Sequence, residues 1–223
     1  MVSSVPAQGL ATLFGGLVAL LAWAGPAAAV DCSGLGRPGS VTLLKALQSR
    51  PDGTTVPVRF CIRHGQVNEI DTLDADGRLL LRSVYDGMKA LTNTTPARRQ
   101  TCTFTYREYK GDPAVFRPGD DVDFVLVGEG CGPTVTYATR IRVGQASTRT
   151  LSGCPLEVLP VTRENIGPGG QRLALMVSTR LHWSLETGPV AGADGKPGPG
   201  VRTVVDAIGE PDEVERWCTR PES

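Results

Sequence analysis

The chain has two histidines, and one of them stands beside an arginine in a setting that could support phosphoryl chemistry. Arg63-His64-Gly65 follows an alternating apolar run, so His64 lies at the end of a predicted strand. A histidine can act as a nucleophile or general base, and an arginine can hold phosphate oxygens. Neither His64 nor His182 is paired with an acid in a triad pattern, and no Gly-x-Ser-x-Gly motif is present. A hydrolase triad is therefore not indicated.

Arg63-His64-Gly65 resembles the Arg-His-Gly signature of the histidine phosphatase and phosphoglycerate mutase superfamily, and residues 97–101 (Ala-Arg-Arg-Gln-Thr) resemble its downstream arginine segment. The resemblance implies His64 as phosphoryl acceptor, with Arg63 and Arg98 or Arg99 as phosphate clamps. That superfamily has long helices and a second histidine followed by small residues. Here His182 lies in Arg-Leu-His-Trp-Ser-Leu, and residues 101–208 are strand-like. We therefore expect a surface turn and no catalytic histidine, with the phosphatase as the alternative.

The acidic run Asp71-Thr-Leu-Asp74-Ala-Asp76-Gly77 has the outline of a calcium loop. An EF-hand loop ending its acidic run at Asp76-Gly77 would need an acid at position 72 and a glutamate at position 83. The chain has Thr72 and Ser83 there. A hairpin turn is the better interpretation, because Asp-Gly tolerates a left-handed backbone. We expect neither a metal nor another cofactor.

The first 29 residues have the composition of a secretory leader. They carry no charged side chain, and a short apolar run from Leu10 to Trp23 is followed by Gly25-Pro26 and Ala27-Ala28-Ala29. This run is shorter than the roughly 20 residues that a bilayer span needs. The sequence predicts a signal peptide over 1–29, cleaved between Ala29 and Val30, and one β-rich exported domain over 30–223, periplasmic or extracellular, with no transmembrane span after cleavage.

Six widely spaced cysteines follow the leader: Cys32, Cys61, Cys102, Cys131, Cys154 and Cys218. No two of them have the C-x-x-C spacing of a zinc or redox site. An even number in an exported chain predicts three disulfides, since an oxidising compartment would pair free thiols.

One pairing follows from strand register. Thr101–Tyr109 and Asp121–Val127 are consecutive predicted strands. If Tyr109 lies opposite Asp123, Cys102 faces position 130, and a one-residue bulge at Gly128 or Gly130 would bring it to Cys131. We predict a Cys102–Cys131 disulfide, while the pairing of the other four cysteines stays open.

Charge excludes some partners. The chain has 23 basic and 23 acidic residues, and like charges do not cluster. No basic stripe is present for nucleic acid, and neutrality argues against strong attraction to an anionic membrane.

Most of the chain alternates apolar and polar residues with the period of a β-strand. Further strands are predicted at Val56–Ile62, Thr134–Val143, Glu157–Thr162, Leu173–Leu185 and Val201–Ile208. Three segments have other interpretations. Ser40 would cap a short helix through Leu47, and residues 93–100 are a candidate linker that carries the sequon Asn93-Thr94-Thr95. Residues 77–91 have a helix-like apolar stripe, but the run that begins at Gly77 could also open a strand, so the sequence favours a helix and leaves the strand open.

A second resemblance runs from about residue 116 to residue 190. In order come Phe116-Arg-Pro-Gly119, the strand Thr134–Val143, Leu151-Ser-Gly153, and Trp183-Ser-Leu-Glu186-Thr-Gly188. This order resembles a group of exported bacterial β-rich domains of uncharacterised function, whose strands end in an aromatic–small–x–Glu–x–Gly turn. Cys154 stands where those chains more often have another residue. We expect Trp183 to pack against the sheet.

Together these observations predict a mainly β fold: an antiparallel meander, as a curved sheet or partial barrel, with one or two short helices and disulfides. The expected function is non-enzymatic binding of a small ligand or an envelope protein, and the alternative is a phosphoryl hydrolase that uses His64.

Overall fold

The computed structural model describes residues 30–167, 170–190 and 200–219. The predicted leader and residues 191–199, which belong to a run rich in glycine and proline, lie outside the described residues. The described part contains thirteen strands and one α-helix. The strands are β1 (Val41–Ser49), β2 (Thr55–Arg63), β3 (Asn68–Leu73), β4 (Leu79–Asp86), β5 (Lys89–Thr95), β6 (Gln100–Lys110), β7 (Asp121–Glu129), β8 (Val135–Val143), β9 (Ser147–Leu151), β10 (Cys154–Ile166), β11 (Arg172–Ser178), β12 (Trp183–Pro189) and β13 (Arg202–Ile208), and the helix is α1 (Pro211–Cys218).

The strands form one antiparallel sheet that closes on itself. The order is β11-β12-β13-β1-β2-β3-β4-β5-β6-β7-β8-β10-β9, and β11 also pairs with β10. Twelve strands therefore form a ring, and β9 pairs outside it with the first half of β10. The predicted mainly β, antiparallel fold is confirmed. The ring is complete because the last strand, β13, pairs with β1 and because β10 pairs with β11.

The predicted helix after Ser40 is wrong, because Val41–Ser49 is strand β1. Leu43 and Leu44 are both fully buried, one on each face of the strand. Leu44 lies opposite Phe60 in the interior, while Leu43 lies under α1. A strand that is covered on both faces loses its polar alternation, which made its apolar spacing look helical.

Of the two interpretations of residues 77–91, the strand is correct and the favoured helix is wrong, and the linker predicted over 93–100 is also wrong. These residues form β4, β5 and the start of β6, with turns at Gly87 and at the short 3-10 segment Pro96–Arg98. Asn93, the sequon residue, lies in β5 opposite Ser83 and Cys102. The predicted run Leu173–Leu185 is two strands joined by a turn, and the Trp183–Gly188 motif lies in the second of them.

The other predicted strands are present as expected. The register between β6 and β7 pairs Thr103 with Glu129 and Arg107 with Val125, as the predicted alignment requires. A bulge after Arg107 then shifts the pairing, so Lys110 faces Asp123 in place of Tyr109.

The interior contains two apolar clusters. One joins β13, β1, β2 and β3 to β9 and the first half of β10, and the other joins β7 and β8 to the second half of β10. Strand β10 serves both because Leu156 and Val158 belong to the first cluster and Leu159 and Val161 to the second. The inward-facing residues of β10 therefore switch from even-numbered to odd-numbered positions between Val158 and Leu159.

A third cluster lies on the outer face, where α1 covers β1, β2 and β3. It contains Leu43, Cys61, Leu73 and Cys218. The helix begins at Pro211 with a capping box, in which Glu213 accepts the backbone N–H of Glu210 at 3.0 Å. No helix in the described part of the chain is long and apolar enough to span a bilayer.

The six cysteines form three disulfides: Cys32–Cys154, Cys61–Cys218 and Cys102–Cys131. The first joins the segment before β1 to β10, and the second joins α1 to β2. The third lies in the β6–β7 hairpin. There Gly130 has a φ of 79°, and a Cβ at this position would collide with the Thr101 carbonyl. Only glycine fits this turn before Cys131.

Candidate functional site

A partly enclosed cavity lies at one end of the sheet, where turns from distant parts of the chain meet. We call it the turn pocket; it has a volume of about 290 Å³. It is bordered by Leu159 of β10 and by four segments, namely 65–68 between β2 and β3, 86–88 between β4 and β5, 114–116 before β7, and 177–182 between β11 and β12. Residues from such separated segments are brought together by closure of the sheet.

The walls of the turn pocket are mainly apolar, with a few polar groups. Met88, Phe116, Leu159 and Val177 supply apolar surface. The polar residues are Gln66, Asn68, Asp86, Ser178, Thr179 and His182. Among the lining residues no lysine or arginine is present, and Asp86 is the one carboxylate. Such a surface suits an uncharged molecule with an apolar body.

His64 directly precedes the lining residue Gly65 and is only 7% exposed. Its backbone holds it at the end of β2, because its N–H donates to Ser40 O at 3.0 Å. Its Nε2 lies 3.1 Å from Thr42 Oγ1. Burial, and then the charge of His182, lower the pKa of His64 to about 4, although a hydrogen bond with Asn68 acts in the opposite direction. His64 is therefore a neutral, hydrogen-bonded core residue at neutral pH.

His182 lies close enough to His64 to affect its charge, so the structure brings the two histidines together. It occupies the turn between β11 and β12 with a φ of 48°, in the left-handed region that few non-glycine residues adopt. The neighbouring Ser178 is fully buried, and its Oγ accepts the backbone N–H of Leu181 at 3.3 Å. These contacts fix the turn that presents His182 to the pocket.

The arginines of the phosphatase resemblance are not brought to the histidines. Arg63 points to the outer face of β2, where it donates to Asp71 Oδ2 at 2.9 Å and to the carbonyl of Cys218 at 2.7 Å. Arg98 and Arg99 lie in the turn between β5 and β6. None of the three lines the turn pocket.

The acidic residues of the apparent calcium loop have separate structural roles. Asp71 binds Arg63 and Arg82, with Arg82 Nε at 2.8 Å from its Oδ1. Asp74 Oδ1 accepts the backbone N–H groups of Asp76 and Arg78, both at 2.9 Å. These contacts build the turn between β3 and β4.

Trp183 packs in the interior, as the sequence predicts. Its ring lies 5.4 Å from that of Phe60 and 5.5 Å from that of Tyr85.

Two pocket residues, Asn68 and Ser178, were not predicted from the sequence. The signal available for Ser178 was a polar residue closing the apolar run Leu-Ala-Leu-Met-Val.

No family model matches the chain, and no curated protein matches it. Among solved structures, an exported protein with a YmcC-like fold from Bacteroides fragilis is similar, with a TM-score of 0.44 and 11% identity over 78% of this chain and 97% of that one. The hypothetical lipoprotein YmcC from Escherichia coli has a TM-score of 0.41 and 12% identity, over 83% of this chain and 91% of that one.

Proposed function

We propose that the chain is an exported binding domain that holds a small, uncharged molecule with an apolar body in the turn pocket. The observation that carries this proposal is the combination of apolar walls with polar groups from Asn68, Ser178 and His182 at one end of a disulfide-linked sheet. Small-molecule sites have this composition, in which apolar surface supplies affinity and a few polar groups fix orientation.

Export is supported by the uncharged leader with its alanine triplet and by the three disulfides. A periplasmic or extracellular location would keep those bonds oxidised. On this proposal residues 1–29 are a signal peptide, and the mature chain from Val30 is one β-rich domain. A small ligand, or an envelope protein that presents a small apolar group, would occupy the pocket.

A role without catalysis is supported by the state of His64. A nucleophilic histidine must reach its substrate, whereas His64 is sealed and its Nε2 faces Thr42. The closeness of His64 and His182 favours the alternative, a phosphoryl hydrolase. The absence of lysine and arginine from the pocket lining weighs against it, because a phosphoryl group needs cationic contacts.

The test is a titration of the mature protein with indole, followed by two-dimensional NMR of the backbone amides. Indole is uncharged, aromatic and small enough for the cavity. We expect saturable shifts concentrated at residues 65–68, 86–88, 114–116 and 177–182. Shifts spread over the apolar patches elsewhere on the surface, or no saturation, would contradict the proposal.

A further inference from the structure

One half-buried arginine on the inward face of the sheet forms no ion pair with a described residue. Arg163 on β10 is two residues from Val161, which is 3% exposed, and so shares its inward face. It lies opposite Ile141 on β8 and Leu173 on β11. Its Nε donates to Asn165 Oδ1 at 3.2 Å. No ion pair in the described part of the chain includes Arg163.

An arginine has five N–H donors, and this one uses only the Nε group among the described residues. Arg163 is half-buried, and its terminal nitrogens are not among the buried atoms that lack a partner, so they can be reached from solution. A half-buried cation without a counter-charge is less favourable than a paired one. The guanidinium is therefore arranged to accept a bidentate anionic partner from solution.

The charge of Arg163 reaches two tyrosines on other strands. Burial raises the pKa of Tyr85 on β4 and raises that of Tyr106 on β6 to about 12, while the charge of Arg163 lowers both values. Both hydroxyls are consequently protonated and can donate. The hydroxyl of Tyr85 makes no hydrogen bond with another described side chain. Lys89 Nζ lies 5.4 Å from the ring centroid of Tyr106 and, like Arg163, forms no ion pair with a described residue.

A polar group on the same inward face is also unpartnered. The Oδ1 atom of Asn93 is buried and has no hydrogen-bond partner. The register places Asn93 beside Ser83, and Ser83 beside Ile70, which belongs to the interior cluster. The orientation of a carboxamide is exchangeable, so either its oxygen or its N–H groups can face the interior. This wall of the sheet thus has hydrogen-bonding capacity that the fold leaves unused.

We propose that the interior between β4, β6 and β10 binds one small oxyanion, a carboxylate or phosphate group, with Arg163 as its principal contact. The terminal nitrogens of Arg163 bind two of its oxygens in parallel, the Tyr85 hydroxyl is a further donor, and Lys89 adds positive charge. The site is separate from the turn pocket, whose lining has no cation. It therefore adds a second, chemically different ligand to the proposed function.

Calorimetric titration of the mature protein with sodium phosphate and with sodium acetate tests this site, with sodium chloride at equal ionic strength as the reference. The stronger of the two probes identifies the group that the site takes. We expect Arg163→Gln to weaken binding by about tenfold or more and Tyr85→Phe to weaken it less. The control is Arg172→Gln, which removes the same charge from an exposed position on β11 and should leave the affinity unchanged.

Stability without added anion separates a binding role from a structural one. On this proposal Arg163→Gln is at least as stable as the wild type in anion-free buffer, because it removes an uncompensated charge. Phosphate or acetate then raises the unfolding temperature of the wild type and of Arg172→Gln, but not that of Arg163→Gln. Three results would overturn the proposal: no effect of either anion beyond that of chloride, equal losses in the two variants, or a failure of Arg163→Gln to fold.

Discussion

Arg63 and His64 are adjacent in the chain where β2 ends, but their side chains lie on opposite faces of the sheet. His64 faces inward and contacts Thr42, whereas Arg63 faces outward and contacts Asp71 and the end of α1. This follows from strand geometry, in which successive side chains alternate. The two residues of the phosphatase-like motif therefore do not meet at one substrate.

The first prediction concerns catalysis. His64→Ala should leave the hydrolysis of p-nitrophenyl phosphate at the same background level as the wild type, because His64 is buried and no lysine or arginine lines the turn pocket beside His182. The measurement is the release of p-nitrophenolate by purified, folded protein. A wild-type turnover that the substitution abolishes would establish the hydrolase alternative.

The second prediction concerns pH. The pKa of His64 is lowered from 6.5 to about 4 in the folded state, chiefly by burial. Below pH 6.5 the unfolded chain binds a proton that the folded chain does not bind until about pH 4, so stability present above pH 6.5 is lost as the pH falls through this window. The loss should be roughly 3 kcal/mol at most.

Urea unfolding of the wild type and of His64→Gln between pH 4 and pH 6.5 measures this loss. The difference between the two proteins should shrink steadily as the pH falls, since glutamine does not titrate. Parallel curves for the two proteins across the window would show that His64 is not a buried, neutral group.

The third prediction concerns Asp71, whose side chain is 7% exposed and bonded to two arginines. Asp71→Ala should lower the free energy of unfolding by about 3 kcal/mol, because it leaves Arg63 and Arg82 without their buried partner. Asp123→Ala, which breaks an exposed pair with Arg140, should cost less than about 1 kcal/mol. Equal costs in denaturant unfolding would refute the structural role of Asp71.

How much the sequence could predict depended on whether the relevant contacts were local. The β6–β7 hairpin was predictable, including the register that brings Cys102 towards Cys131, because one turn determines it. Strand β1 was missed because its two faces are buried by elements far away in the chain, the core strands and α1. Hydrophobic periodicity reports exposure, and it fails where both faces are covered.

The turn pocket was not predictable for a related reason. Its walls come from four turns whose sequences look like ordinary surface loops, such as 65–68 and 114–116. They converge only because the meander closes through the pairing of β1 with β13 and of β10 with β11. Contacts at such separation in the chain leave no local pattern.

The fourth prediction concerns export. N-terminal sequencing of the protein recovered from the cell envelope or medium should begin at or near Val30, because the uncharged leader ends in three alanines. Cytoplasmic protein serves as the unprocessed reference. An exported chain that still begins at Met1 would contradict cleavage.

The most direct measurement of the central claim is the affinity of indole for two tryptophan variants. Val115 is 48% exposed and lines the turn pocket, so Val115→Trp should obstruct it without disturbing the core. Leu80 is 42% exposed on β4, outside the pocket lining, so Leu80→Trp adds the same bulk elsewhere. We predict that Val115→Trp weakens indole binding by about tenfold or more, a change of about 1.4 kcal/mol, while Leu80→Trp binds like the wild type. Equal affinities for the two variants would contradict the assignment of the turn pocket as the ligand site.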